Sequence, residues 1–145
     1  MRVRLAVSVL AASASFFVAS PMRAHAEGVE GTYRGSFVCE KLKQGADMLR
    51  APFDMNISGK TVVFARPVFN RNGTRVVGSE LATGTVEDNG TLQVKSEWTA
   101  AGFGYQGSYN GAINGKVGTL TGTQAWKTRS GTETRNCTVA FAQRS

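Results

Sequence analysis

Hydrophobic and polar residues alternate with a period of two along most of the chain, most regularly in its second half. Such alternation is typical of β-strands that bury one face and expose the other, as in antiparallel sheets. The apolar set is interrupted by a few polar residues that share its phase, including Ser96. The face predicted to be buried in this half carries Leu92, Val94, Trp98, Phe103, Tyr105, Tyr109, Ile113, Leu120, Trp126, Cys137, Val139 and Phe141.

The first half shows shorter alternating segments, at residues 33–39, 53–57, 61–68 and 75–86. Pro67 predicts an edge, a strand end or a bulge, because proline cannot donate to a ladder. Residues 41–50 have rough helical spacing, and we expect one or two helical turns there at most. Turn-forming residues, among them the Asn-Gly pairs that favour tight hairpins, separate the segments at Ser58-Gly59-Lys60, Asn72-Gly73, Asn89-Gly90, Asn114-Gly115 and Ser130-Gly131.

These segments predict an all-β domain of about eight strands in sequential hairpins. An open meander would leave two exposed edges, so we expect an antiparallel up-and-down barrel. Cys39 in the first strand and Cys137 in the last both fall on apolar faces. A disulfide between them would join the two ends of the meander. A β-sandwich with a disulfide between its two sheets is the alternative.

In layout this chain is similar to calycin-like barrels, the broad class that includes lipocalins, avidins and some small lysozyme inhibitors. The resemblance concerns the architecture and implies a closed barrel. The first strand reads Gly31-Thr32-Tyr33 where lipocalins and avidins carry Gly-x-Trp. No site residue is therefore carried over from those families.

Residues 1–26 have the organisation of a secretory signal peptide. Arg2 and Arg4 precede an apolar stretch over residues 5–18, and Ala24-His25-Ala26 supplies small residues at a cleavage site. The stretch is shorter than the ~20 residues that span a bilayer. We therefore expect cleavage near Ala26, and a periplasmic or secreted single domain over residues 27–145. An oxidising compartment favours the disulfide.

Removing the leader also changes the charge and the available chemistry. Three of the 17 basic residues and none of the ten acids leave, so the net charge falls from +7 to +4. The remaining basic residues are scattered, whereas a nucleic-acid interface needs a basic face or stripe. The polar outer face argues against insertion as a membrane barrel. We expect neither nucleic acid nor membrane as a partner.

Catalysis has few candidate groups in this chain. The single histidine, His25, leaves with the leader, so a Ser or Cys nucleophile lacks its usual base. Two cysteines and one histidine do not make the usual structural zinc site. We therefore predict no catalytic residue, metal or cofactor. The alternative is a small secreted glycan- or peptidoglycan-acting enzyme using Glu97 beside Trp98, although their alternation directs the carboxylate away from the ring.

The apolar face combines large aromatic residues with three glycines, Gly107, Gly111 and Gly122. Glycines in a barrel relieve crowding and curvature, or else they leave a cavity walled by aromatic rings. Polar residues on the same face would be an internal network or the few polar groups of a ligand pocket. For a small apolar or aromatic ligand, the predicted site consists of Trp98, Tyr105, Tyr109, Gln124, Trp126 and Arg135.

A basic loop offers a second form of binding. Residues 66–75 read as a connection carrying Arg66, Arg71 and Arg75, which would suit an acidic protein partner. Both forms describe an exported, non-catalytic binding module. The sequence specifies neither the ligand, the partner nor the oligomeric state.

Overall fold

In the computed structural model of the protein, the described residues are 28–43, 48–70, 73–100, 103–128 and 131–145. They form eight antiparallel strands and no helix, and so include no helix long and apolar enough to cross a membrane. The predicted signal peptide lies outside these residues. The strands are β1 (Gly31–Cys39), β2 (Leu49–Ser58), β3 (Thr61–Phe69), β4 (Val76–Val86), β5 (Thr91–Ala100), β6 (Phe103–Asn114), β7 (Val117–Thr128) and β8 (Gly131–Gln143).

The strands close into a barrel in which each strand pairs with the next along the chain. β1 also pairs with β8, from Tyr33 opposite Gln143 to Cys39 opposite Cys137. Closure gives both edges of the meander a partner. The predicted up-and-down barrel is confirmed, and the sandwich alternative is wrong.

The disulfide between Cys39 and Cys137 is also confirmed, and it links directly opposite residues of β1 and β8. Both cysteines are buried on the inner face. They are 98 positions apart in the sequence. In the chain-entropy view, a crosslink that closes so long a loop stabilises the fold by about 4–5 kcal/mol.

The two ends of the barrel carry different connections. We call turn end the end that holds the β2–β3, β4–β5 and β6–β7 connections. These are tight turns at Gly59, Gly90 and Gly115, where a positive φ favours glycine. We call loop end the opposite end, which holds the connections between β1 and β2, β3 and β4, β5 and β6, and β7 and β8. The turns predicted at Asn72-Gly73 and Ser130-Gly131 belong to the loop end and fall partly outside the described residues.

An apolar core fills the barrel from the turn end to its middle. Its aromatic rings meet edge-to-face, with centroids 5.4 Å apart in the Phe37–Tyr109 and Phe53–Phe64 pairs. Such pairs add about 0.5–1.5 kcal/mol beyond the burial of their area. Tyr33 is the polar exception near the turn end, and its hydroxyl donates to the Val29 carbonyl at 2.5 Å. This part of the interior is therefore a packed core with its polar atom satisfied.

The predicted helical turns within residues 41–50 do not appear in the described part of that range. Leu49 and Arg50 already belong to β2, where they pair with Cys39 and Val38 of β1. Residues 44–47 lie outside the described residues. The last two residues of the predicted helical segment thus extend the ladder between β1 and β2 instead.

Pro67 lies in β3 beyond the last residue that pairs with β2, which is Ala65 opposite Asp54. It still sits opposite Ser79 of β4, just before a register shift at Val68 and Phe69. The predicted placement of proline at an end of pairing is confirmed.

Candidate ligand-binding site at the loop end

The register of β5–β8 brings most of the predicted ligand-binding residues together on the inner face near the loop end. Trp98 lies opposite Tyr105, and Tyr105 lies opposite Trp126. The next row inward contains Gln124 opposite Arg135. We call Trp98, Tyr105 and Trp126 the aromatic row. Tyr109, the sixth predicted residue, lies deeper, and its hydroxyl reaches Gln124.

The aromatic row forms a cluster of three rings. The Tyr105 and Trp126 centroids are 4.5 Å apart, and the Trp98 ring lies 5.9 and 6.1 Å from those of Tyr105 and Trp126. Tyr105 is buried, whereas both tryptophans are half-buried. Part of each indole therefore faces solvent at the loop end, where a planar ligand could stack on it.

Beneath the aromatic row, Glu80 is the centre of a buried polar network. Its carboxylate accepts hydrogen bonds from the hydroxyls of Tyr105 at 2.7 Å and Tyr109 at 3.2 Å. Arg66, directly opposite Glu80 across β3 and β4, forms an ion pair with it. Arg66 also donates to the Tyr105 hydroxyl at 2.8 Å, and its guanidinium lies 4.5 Å from the centroid of the Phe37 ring. The pair is thus buried with additional hydrogen bonds, the arrangement that a buried ion pair requires.

Gln124 connects Arg135 to this network. Its Oε1 accepts from Arg135 Nε at 2.9 Å and Nη2 at 2.8 Å, and from Trp126 Nε1 at 3.2 Å. Its Nε2 donates to the Tyr109 hydroxyl at 3.0 Å, which in turn donates to Glu80. In this series of hydrogen bonds, every donor therefore points away from the Arg135 cation and towards the Glu80 carboxylate. Such directional chains are polarised and hold their side chains in one arrangement.

Burial shifts the pKa values of three groups in the network. It raises the pKa of the Tyr105 and Tyr109 hydroxyls well above the usual range for tyrosine. It lowers the pKa of Arg135 to about 10, with a further lowering from the Arg66 charge. At neutral pH both phenols therefore keep their protons as donors, and Arg135 stays a cation.

The charges of the network do not balance. Arg66 and Arg135 contribute two positive charges, and Glu80 contributes one negative charge that the Arg66 ion pair engages. Among the described residues, no carboxylate lies within ion-pair distance of Arg135. Its remaining contacts are the Trp126 ring, 5.1 Å from the guanidinium carbon to the centroid, and the Glu40 carbonyl at 3.5 Å from Nη1. The described part of the loop end thus holds one buried positive charge in excess.

The inner-face glycines are explained by packing. A Cβ at Gly111 or Gly122 would come within 1.9 Å of a backbone oxygen of the neighbouring strand. One at Gly107 would lie 2.3 Å from Ser96 Oγ and 2.4 Å from the Tyr109 hydroxyl. The space beside these three glycines is therefore filled, and the cavity considered for these positions is absent.

The prediction that Arg66 belongs to a basic loop surface is wrong. It was grouped with Arg71 and Arg75, but it lies within β3 and its side chain is buried. The reason is its phase, because it alternates onto the same face as Phe64 and Val68. Arg75 is exposed in the β3–β4 connection, and Arg71 lies outside the described residues. A basic partner surface there lacks Arg66.

Glu97 points outward from β5, away from Trp98, as the alternation predicts. It lines a groove of about 580 Å³ on the outer surface of β5–β8, together with Gln106, Lys127 and Thr132. Glycoside hydrolysis usually requires a pair of carboxylates. Glu97 is the single carboxylate among the described residues that line this groove.

Sequence reasoning missed two residues of the site, Glu80 and Gly78. Glu80 shares the inward phase of Ala82 and Val86, and that alternation was a usable signal. Gly78 lies beneath Trp98, where a Cβ would come within 2.6 Å of the indole Nε1. Nothing local in the sequence marks this contact, because it joins β4 to the far end of β5.

No protein-family model, curated protein or solved structure matches this chain.

Proposed function

We propose that the protein is an exported, non-catalytic binding module that takes a small ligand with a planar apolar or aromatic part at the loop end of its barrel. The observation that carries the proposal is the aromatic row, whose two half-buried indoles lie over a buried polar network. Small-molecule sites commonly combine apolar walls with a few fixed polar groups, often at the mouth of a barrel.

The aromatic row is held in place before any ligand arrives. Trp126 donates from its indole nitrogen to Gln124, and Trp98 lies across Gly78. Tyr105 is fixed by its hydrogen bond to Glu80. Pre-organised groups lose little conformational entropy on binding, which favours affinity. This supports a binding platform at the barrel mouth rather than an interior cavity.

The same network supports a non-catalytic role. Glu80, the buried carboxylate of the site, is engaged by Arg66 and by two tyrosine hydroxyls. A general base needs a carboxylate that can reach a substrate proton. The disulfide is compatible with the oxidising compartment that export implies.

Intrinsic fluorescence tests the proposal, because the chain contains two tryptophans and both belong to the aromatic row. The neutral probe N-phenyl-1-naphthylamine should bind saturably, with energy transfer from the indoles. Trp98→Leu and Trp126→Leu should each weaken binding by about tenfold, since an aromatic contact contributes on the order of 1 kcal/mol or more. Leu81→Ala, which removes an exposed apolar side chain of the outer surface, is the matched control and should bind as the native protein does. Absence of saturable binding, or a loss caused by Leu81→Ala alone, would contradict the proposal.

A further inference from the structure

Among the described residues, no negative charge pairs with Arg135. Only 4% of the residue is exposed. Its two short hydrogen bonds go to the neutral oxygen of Gln124, and the third contact, from Nη1 to the Glu40 carbonyl, is 3.5 Å long. An ionised group that is buried without a partner charge is costly, because it loses its hydration.

The other charges in the described part of the loop end do not supply this partner. Glu80 is paired with Arg66 and accepts from two tyrosines. Glu133, two residues from Arg135 on β8, accepts a hydrogen bond from the backbone N–H of Lys43. It thereby ties the segment that follows β1 to β8. The guanidinium of Arg135 therefore keeps Nη1 as its least engaged donor, next to the Trp126 ring.

We propose that the ligand is a small aromatic anion, whose carboxylate or sulfonate pairs with Arg135 while its ring lies against Trp98 and Trp126. This inference rests on the proposed function and names the class of its ligand. The anion takes the place of the Glu40 carbonyl at Nη1, while Nε and Nη2 stay on Gln124. Nη1 then donates a charge-assisted hydrogen bond to the carboxylate or sulfonate, which is stronger than one to a neutral acceptor.

The site selects for a single negative charge. The described buried groups carry one positive charge in excess, so one anionic group neutralises them. A neutral analogue of the same shape leaves the charge of Arg135 uncompensated, and a cation adds to it. The aromatic row supplies affinity for both the anion and its neutral analogue, whereas Arg135 supplies the difference between them.

Two fluorescent probes separate these contributions. 8-Anilinonaphthalene-1-sulfonate is N-phenyl-1-naphthylamine with one sulfonate added. The native protein should bind the sulfonate at least about tenfold more tightly, as expected for a hydrogen bond to a charged group. Arg135→Gln should abolish that preference, so that the variant binds the two probes with affinities within about twofold of each other. Lys127→Gln, which removes an exposed charge on the residue next to Trp126, is the control and should keep the preference.

The outcomes distinguish this inference from the proposed function. Binding of neither probe overturns both. Equal binding of the two probes by the native protein, or a preference that survives in Arg135→Gln, overturns only the anion. Near-ultraviolet circular dichroism checks that each variant folds.

If Arg135→Gln does not fold, the native protein alone still decides. Benzoate should then displace N-phenyl-1-naphthylamine at a concentration about tenfold lower than benzamide does. Equal displacement by the two compounds overturns the anion inference.

Discussion

The interior of the barrel is filled by different kinds of side chain towards its two ends. Towards the turn end, rings such as Phe53 and Phe64 fill the interior, and tight turns close the strands. Towards the loop end, the interior contains an ion pair, a glutamine and a second arginine beneath two half-buried indoles. The apolar core already stabilises this fold, and packing alone does not require buried charged groups at the loop end. This difference is the reason for proposing the ligand-binding site at the loop end.

Glycines serve two different purposes in this barrel. At the turn end, Gly59 and Gly115 adopt positive φ in tight turns. At the loop end, Gly78 and Gly107 make room for the Trp98 indole and the Tyr109 hydroxyl. The first use shapes the backbone, and the second positions side chains of the candidate site.

The largest effect is expected from Glu80→Gln. This change leaves the Arg66 charge buried without a counter-ion, and we expect a loss of about 3–5 kcal/mol in the free energy of unfolding, measured with urea. Adding Arg66→Met should recover more than half of that loss, because the uncompensated charge is then gone. A cost below about 1 kcal/mol for Glu80→Gln would show that the pair behaves like an exposed one.

Alkaline pH should weaken the loop end next. The folded protein keeps the Tyr105 and Tyr109 phenols protonated, because burial raises their pKa. The unfolded chain releases those protons above pH of about 10, so stability is complete below that pH and falls as pH rises. We expect each of these tyrosines to contribute a loss of about 1.4 kcal/mol per pH unit. Arg135, whose pKa burial lowers to about 10, opposes one such contribution above that pH, because the folded protein then releases a proton that the unfolded chain keeps. Urea unfolding at several pH values, with tyrosinate absorbance recorded, measures it. If both phenols titrated near their usual pKa in the folded protein, Tyr105 and Tyr109 could not be buried as described.

A smaller effect is expected from Gly122→Ala, in the middle of the barrel. The added methyl meets the Ser108 carbonyl oxygen at 1.9 Å and must shift the backbone of β6. Overpacking of this kind costs about 1–3 kcal/mol. Thermal unfolding compares it with Ser108→Ala, an exposed change on the same strand pair. A neutral or stabilising Gly122→Ala would indicate free space beside this glycine.

The smallest effect is expected on the outer face of the barrel. Arg34 and Asp54 form an ion pair at 3.0 Å, with 59% and 54% of their side chains exposed. Asp54→Asn should change stability by less than about 1 kcal/mol, and salt should reduce the effect further. A cost as large as that of Glu80→Gln would remove the distinction between exposed and buried charge on which the account depends.

The strands, the closure and the disulfide could be predicted because they depend on local periodicity and on the apolar phase of Cys39 and Cys137. The residues of the candidate site were predicted from the same phase. Arg66 was misplaced because its positive charge was given more weight than its alternation with Phe64. Its pairing with Glu80 depends on the register between β3 and β4. That register is a tertiary property, as is the crowding at Gly122, and neither is encoded in a short window of sequence.

The central claim is that small ligands bind at the loop end, and NMR of the backbone amides and the two indole N–H groups tests it most directly. On titration with 8-anilinonaphthalene-1-sulfonate, the indole signals of Trp98 and Trp126 and the Arg135 Nε–H signal should shift together and saturate. Signals near the turn end, such as those of Gly59 and Gly115, should stay in place. Shifts confined to Gln106, Lys127 and Thr132 of the outer groove, with unchanged indole signals, would contradict the claim.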